Sequence, residues 1–408
     1  MISKTLLKNI IESQREELLD KGEGEIKREK INDIDLLSGF ALLVSGIRRC
    51  GKSTLLRQII KGNRKIPYFN FEDTRLSGFD IKDFNRLAEV FKESYGDVEE
   101  YYFDEIQNIG GWEIFIRSLL DRKKKVLVTG SNASLLSREL GTRLTGRHLD
   151  LQLFPFSFNE FLKFKKKEAS SKLFEEYLED GGFPEYLIFE KIELLQELVN
   201  DIIMRDIAAR HNIKNIKTLK EMAIFLISNS CKEFSYNSLR KILNLGSTNS
   251  VISYMSYFKD SYLLFSVPKF DYSLKKQLVN PKKVYIIDNG IIKANSRSFS
   301  PDKGKLLENL VFISLKKINN QEIFYFQNKY ECDFVVRRKN KINQAIQVCY
   351  YLNDENQDRE INGLLEAMGE FNLGEGIILT FNQEDEFDFG SKKIIIKPTW
   401  KWMSEDGK

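Results

Sequence analysis

The sequence predicts an α/β protein, with a parallel sheet flanked by helices, then a helical segment, then a second α/β domain. Three observations carry this. Gly46-Ile47-Arg48-Arg49-Cys50-Gly51-Lys52-Ser53-Thr54 has the spacing of a phosphate-binding loop. Ala41 to Ser45 before it reads as a short buried strand, and Leu55 to Lys61 after it as an apolar-periodic helix. Downstream, apolar strands alternate with helical patterns, which implies parallel pairing.

Gly46 and Gly51 let the loop backbone curl, so that successive N–H groups and the helix N-terminus point at an anion. Lys52 adds a mobile charge for the β- and γ-phosphates, and the Ser53 hydroxyl is a ligand for Mg²⁺. The whole stretch from Gly46 to Thr54 is therefore the expected nucleotide-binding segment, with ATP and Mg²⁺ as its ligands. Cys50 sits two residues from Lys52 at a helix start, so a reactive thiolate protected by Mg-ATP is expected there.

The 408 residues leave room for two or three domains. Lys and Arg number 63 against 59 Asp and Glu, a net charge of +4 that points by itself neither to nucleic acid nor to a membrane. No apolar run has the length of a membrane span, and Met1 to Asp20 lacks a signal-type apolar core, so a cytoplasmic chain with no membrane partner is expected. Cys50, Cys231, Cys332 and Cys349 form no CxxC pair and the histidines are His148 and His211, which argues against a disulfide framework or a zinc site.

In chain order, Thr5 to Leu19 reads as a helix that either packs on the nucleotide domain or is loosely held; the residues leave both open. A strand follows at Ile66 to Asp73 and a helix at Lys82 to Tyr95. Tyr101-Tyr102-Phe103-Asp104-Glu105 is an apolar strand ending in two carboxylates, the Walker B pattern. Asp104 is expected to hold Mg²⁺ and Glu105 to polarise the attacking water, since phosphoryl transfer needs in-line positioning more than covalent help. After a helix at Trp112 to Arg122, the strand Lys125 to Asn132 ends in a polar tip beside the γ-phosphate. Ser131 or Asn132 is the expected hydrogen-bond partner of that water. Arg143 and Arg147, in a basic turn before the strand Leu149 to Leu153, are arginine-finger candidates across a subunit boundary in a homo-oligomer, or else pair with local acids.

The phosphate loop, Phe103-Asp104-Glu105-Ile106-Gln107, Thr129-Gly130-Ser131, Leu144-Thr145-Gly146-Arg147, Phe154-Pro155-Phe156-Ser157-Phe158-Asn159-Glu160-Phe161 and Gly181-Gly182-Phe183-Pro184-Glu185 occur in one order. That order resembles the bacterial and archaeal AAA-type ATP-binding proteins with a C-terminal domain of unknown function, over nearly the whole chain. The resemblance implies a P-loop NTPase core of AAA+ type, a helical lid, a winged-helix segment and a C-terminal α/β domain similar to restriction-type nucleases. Ser131 or Asn132 then falls at the position called sensor 1. Expected boundaries are 1–36 for an N-terminal helical segment, 37–165 for the core, 166–212 for the lid, 213–298 for the winged helix and 299–408 for the nuclease-like domain.

Within 213–298 three helical stretches precede two strands. The third helix is expected to show Thr248, Asn249, Ser253 and Ser256 outward and Val251, Ile252, Met255 and Phe258 inward, with Lys269, Lys275, Lys276, Lys282 and Lys283 on the wing. Such a surface suits DNA, while winged helices also dock proteins. In the last domain Glu308, Asp333 and Gln347 fall where a nuclease of this kind keeps its acids, but Cys349 occupies the lysine slot, so nuclease activity is not expected. The expected function is an ATPase switch coupled to a DNA- or protein-recognition module. The alternatives are a non-enzymatic ATP-binding DNA-binding or scaffold factor, and an ATP-gated nuclease.

Overall fold

The computed structural model describes residues 1–20, 25–60, 66–131, 144, 146–297 and 302–405. These form two compact units, Met1–Phe154 with Asp260–Tyr262, and Pro155–Lys259 with Leu263–Lys408.

The first unit is built on a five-stranded parallel sheet in the order β2-β3-β4-β1-β5, with β1 Ala41–Ser45, β2 Tyr68–Asn70, β3 Glu100–Asp104, β4 Lys125–Gly130 and β5 His148–Gln152. All of β1 is buried, as a central parallel strand covered on both faces requires. The register sets Ser45 beside Gly130 and Asn70 beside Asp104, so the loop after β1 and the acids ending β3 emerge at one edge of the sheet. Helix α1 (Lys4–Asp20) belongs to this unit: Leu7, Ile10 and Ile11 form its apolar stripe and lie in the core. One turn on, the Gln14 amide accepts from Asn70 N at 2.9 Å and donates to Asn70 O at 3.0 Å, closing the exposed edge of β2. Helices α2 (Lys52–Ile60), α3 (Asp83–Tyr95) and α4 (Trp112–Asp121) complete the unit. Phenylalanines fill the core between them, with Phe84 stacked on Phe115 at 4.7 Å.

The second unit begins at Pro155, so helix Phe158–Lys165, placed with the core in the sequence reading, is part of it. Ser157 and Glu160 form a capping box at its start. The Gly181-Gly182 turn wraps a buried carboxylate: Asp288 accepts from Gly182 N at 2.7 Å and Gly290 N at 2.9 Å. A Cβ on Gly181 would lie 2.0 Å from Asp288 Oδ1, which accounts for the glycine. Burial pushes the Asp288 carboxyl up to about 7 against the pull of those two amides.

Helices Ile216–Ser228, Tyr236–Ile242 and Thr248–Asp260 accompany a three-stranded antiparallel sheet, β6 (Glu233–Phe234), β8 (Lys282–Ile286) and β7 (Leu264–Pro268), in that spatial order. Val251, Met255 and Phe258 point inward as expected, but Ile252 is 45% exposed. The lysines expected on a wing differ more. Lys269 reaches Gln327 Oε1 at 3.5 Å, Lys282 donates to Leu278 O at 2.8 Å, and Lys283, expected on the surface, is buried. Lys275 and Lys276 remain exposed, beside the exposed apolar residues Tyr272, Leu274, Leu278 and Val279.

The remainder is a six-stranded mixed sheet in the order β13-β14-β12-β11-β10-β9. Strands β9 (Glu322–Gln327), β10 (Glu331–Arg338) and β11 (Lys341–Val348) form an antiparallel meander. Helix Gln357–Glu370 leads to β12 (Glu375–Thr380), parallel to β11 and to β14 (Lys392–Pro398), while β13 (Asp385–Phe389) closes the edge. Helix Lys303–Lys316 precedes the sheet.

Candidate nucleotide site

The loop between β1 and α2 is held from beneath. A Cβ on Gly46 would lie 2.3 Å from Leu153 O, and one on Gly51, at φ 99°, would lie 2.8 Å from Arg28 Nη1. Neither position admits another residue without displacing its neighbour. Arg28 itself is buried, and its guanidinium donates to Cys50 O at 2.6 Å and Phe154 O at 2.7 Å. The segment carrying it is fixed to α2, since Arg28 N donates to Gln58 Oε1 at 3.0 Å and Gln58 Nε2 to Ile26 O at 2.8 Å.

Lys52 opens α2 with its ammonium buried over the loop, donating to Gly46 O at 3.2 Å and Ile47 O at 3.3 Å, and 3.4 Å from Glu105 Oε1. Burial alone would lower its pKa, but the charges of the neighbouring Glu105 and Asp104 carboxylates outweigh it and hold the ammonium charged. Glu105 follows β3 in the left-handed region, φ 49° and ψ 42°. That conformation costs a non-glycine residue about 1–3 kcal/mol, and such residues cluster at working sites. Burial pushes the Glu105 carboxyl up, yet Lys52, the Gln107 amide and Arg48 together bring it below the usual range.

Its neighbour behaves oppositely. Asp104 is fully buried, and burial together with the Glu105 charge raises its carboxyl, opposed by bonds from Thr129 and Ser53 and by Lys52. Thr129, on β4, donates to Asp104 and accepts from Glu105 N at 3.1 Å. Tyr68 OH lies 3.4 Å from Asp104 Oδ2. The hydroxyl of Ser53 and the carboxylate of Asp104 form an all-oxygen donor pair beside the glycine-lined loop, which fits a hard divalent cation and a phosphate chain.

The structure thus brings together Gly46, Gly51, Lys52, Ser53, Asp104 and Glu105. Ser131 is buried just past the end of β4, while Asn132 and Arg143 lie outside the described residues. Arg147 is not brought to the loop. Its carbonyl accepts from Ala41 N at 3.1 Å, at the opposite end of β1, and its guanidinium pairs with Asp121 at 2.7 Å. About 13 Å of strand separates it from its own phosphate loop, so it has no part in the site of its own chain.

The expectation of a reactive Cys50 fails. The thiol is fully buried, turned away from the nucleotide side toward Leu153 O at 3.5 Å, and burial raises its pKa more than Lys52 and Arg28 lower it. Two residues were given no role by the sequence, although Thr129 stands in the Thr129-Gly130-Ser131 motif. Thr129 was legible in principle, because β3 pairs with β4 with Phe103 opposite Val128, leaving Thr129 beside Asp104. Arg28 sits in a charged stretch with no motif to mark it.

A model of the AAA domain family matches residues 38–162, and a second, described only as a domain of unknown function, matches residues 171–302. The uncharacterized protein MJ1544 of Methanocaldococcus jannaschii is 35% identical over 421 residues, covering 95% of this chain and 94% of that one. An uncharacterized protein of Haemophilus influenzae is 28% identical, covering 88% and 94%. Among solved structures, the STAND protein with a tetratricopeptide repeat sensor PH0952 from Pyrococcus horikoshii has a TM-score of 0.29 at 14% identity, over 72% of this chain and 46% of that one. Domain III of the Thermotoga maritima replication initiation protein DnaA has a TM-score of 0.27 at 16% identity, over 48% and 89%. Residues 38–162 match the model of the AAA domain family, and the chain belongs to one family with MJ1544.

Proposed function

We propose that the protein binds and hydrolyses Mg-ATP in the first unit and works as a nucleotide-dependent switch for a recognition module in the second. The observation that carries this reading is the convergence of Lys52, Asp104 and Glu105, with Thr129 joining the two acids, at the loop edge of one parallel sheet. Lys52 and the loop amides would hold the phosphates. Ser53 and Asp104 would hold Mg²⁺, which when bound neutralises phosphate charge. Glu105, kept ionised, is the group able to take a proton from water, and Thr129 fixes its backbone.

A finger role for Arg147 would be played in the site of a second copy. Its exposed pair with Asp121 is of the kind that contributes little, so exchange for a phosphate partner costs little. The recognition module is the three-helix, three-strand segment, read as a winged helix. With Lys283 buried and Lys269 and Lys282 tethered, its tip offers apolar side chains more than cations, which favours a protein partner over DNA. The C-terminal sheet is read as nuclease-like and inactive, with Cys349 in place of the lysine.

Steady-state phosphate release with Mg-ATP, with and without duplex DNA, tests the reading. Lys52→Ala should lose ATP binding, whereas Glu105→Gln should keep binding and lose turnover. Unchanged phosphate release in Glu105→Gln, or equal loss of binding in both variants, removes it.

A further inference from the structure

The side chain of Lys283 leaves β8 and enters a pocket between helix Lys303–Lys316 and strand β10. Its Nζ lies 3.0 Å from Glu308 Oε1, 2.7 Å from Glu331 Oε1 and 2.9 Å from Asp333 Oδ1, and the side chain is 4% exposed. The ammonium donates to Glu308 and Asp333 and is ion-paired with Glu331 as well, so three carboxylates from two elements surround its three N–H groups.

The oxygens around it are committed as well. Tyr285 OH donates to the same Glu308 oxygen at 2.7 Å, and the second Asp333 oxygen accepts from Val348 N at 3.0 Å. Gln347, the residue standing where a third acid is expected, turns its carbonyl to Asp333 N at 3.1 Å and its amide to Glu360. The acids are spaced round a cation the protein supplies itself.

We propose that Lys283 is the resident cation of the C-terminal acidic centre, taking permanently the place a divalent metal would hold between Glu308 and Asp333. The consequence is twofold. The intact centre takes up no divalent ion, and β8 is tied electrostatically to the helix and strand that bear the acids. Strand β8 belongs to the recognition module, so two of these ion pairs fix that module to β10 of the C-terminal sheet and the third fixes it to helix Lys303–Lys316. The inference is independent of the ATPase reading, because none of its residues belongs to the nucleotide site.

Mn²⁺ binding to the nucleotide-free full chain, followed by loss of the free Mn²⁺ paramagnetic resonance signal, tests this on wild type, Asp333→Asn, Lys283→Met and the double variant. Wild type and Asp333→Asn should bind Mn²⁺ alike, any site at Asp104 cancelling in the comparison. Lys283→Met, which keeps the side-chain length and removes the charge, should melt at lower temperature, gain one Mn²⁺ per chain at least tenfold tighter than any wild-type site, and recover melting temperature as Mn²⁺ is added. Adding Asp333→Asn should abolish that gain. Wild-type binding that Asp333→Asn removes overturns the proposal, because the acids would then take a metal alongside the lysine. A folded Lys283→Met that gains no Mn²⁺ overturns it too. Should Lys283→Met fail to fold, the comparison of wild type with Asp333→Asn decides alone.

Discussion

Replacing Arg28 by methionine removes the donor to two buried carbonyls while roughly keeping the volume of the side chain. The carbonyls of Cys50 and Phe154 accept from the guanidinium at 2.6 and 2.7 Å. Hydrogen bonds from a charged donor contribute about 1.5–3 kcal/mol each, and a buried acceptor left without a partner costs about 1–3 kcal/mol. Against this, the variant no longer desolvates a guanidinium, so the net loss falls near about 3 kcal/mol. For a unit of this size that is a fall of about 6–12 °C in melting temperature. Since Cys50 lies within the loop, part of the loss appears as disorder of the phosphate cradle; half of it is about tenfold in ATP affinity. Thermal unfolding and titration with a fluorescent ATP analogue measure the two together. Arg28→Lys, which keeps the charge but lacks the fork that spans both carbonyls, should fall between. Wild-type ATP affinity in Arg28→Met, whether or not the protein is destabilised, would refute the reasoning.

Thr129→Val should lower turnover by about ten- to a hundredfold, as expected when a group that positions the base is lost. ATP affinity should stay within about threefold of wild type; a Kd effect as large as the kcat effect would place Thr129 in binding instead. Cys50 should stay unlabelled by maleimide in the folded protein, with or without Mg-ATP, and label fully after denaturation, as mass spectrometry would read. Asp288 gives a pH signature. Burial raises its folded pKa to about 7 from the 3.8 of a free aspartate, with Lys317 and Asp180 as the charged groups acting on it. Between those values the folded chain binds a proton that the unfolded chain has released, so stability falls as pH rises through about 4 to 7 and levels off above. The full difference is up to about 4 kcal/mol. Urea unfolding of wild type against Asp288→Asn over that range should show the slope in wild type alone, and parallel curves would exclude the titration.

What was legible in the sequence follows from which forces are local. The phosphate loop, the acids ending β3 and the strand and helix periodicities are written in neighbouring residues, and the described elements reproduce their order to within a few residues. Strand β2 came out shorter than expected, Tyr68–Asn70, because only these residues pair with β3. Partners distant in sequence were not legible. Lys283 looks like any wing lysine until the fold carries Glu308, Glu331 and Asp333 to it, 25 to 50 residues away in the chain. Cys50 has the sequence setting of a low-pKa thiol, but the backbone turn that makes the cradle also drives its side chain into the core, where desolvation prevails. Helix α1 was ambiguous because its apolar stripe fits either packing or exposure; the pairing of Gln14 with the edge of β2 decided it.

The division of labour proposed for Asp104 and Glu105 rests on the same kind of contrast. Two adjacent carboxylates at the end of one strand would ordinarily share their surroundings and titrate alike. Here the chain reverses between them: Asp104 ends the extended strand and stays fully buried, while Glu105 takes the left-handed conformation, directing its side chain to the Lys52 ammonium. Their pKa values are pushed apart as a result, Asp104 upward and Glu105 downward. Opposed shifts in a neighbouring pair mark different tasks. A buried carboxylate whose charge lacks enough compensation is the one a divalent cation would stabilise most, and a carboxylate kept ionised by an ammonium is the one free to accept a proton. Thr129 joins the two through a single hydroxyl, donating to one side chain and accepting from the other residue's backbone, so neither acid can shift without moving the end of β4. The strand order makes this possible, because β4 lies between the strand that carries the loop and the strand that carries the acids.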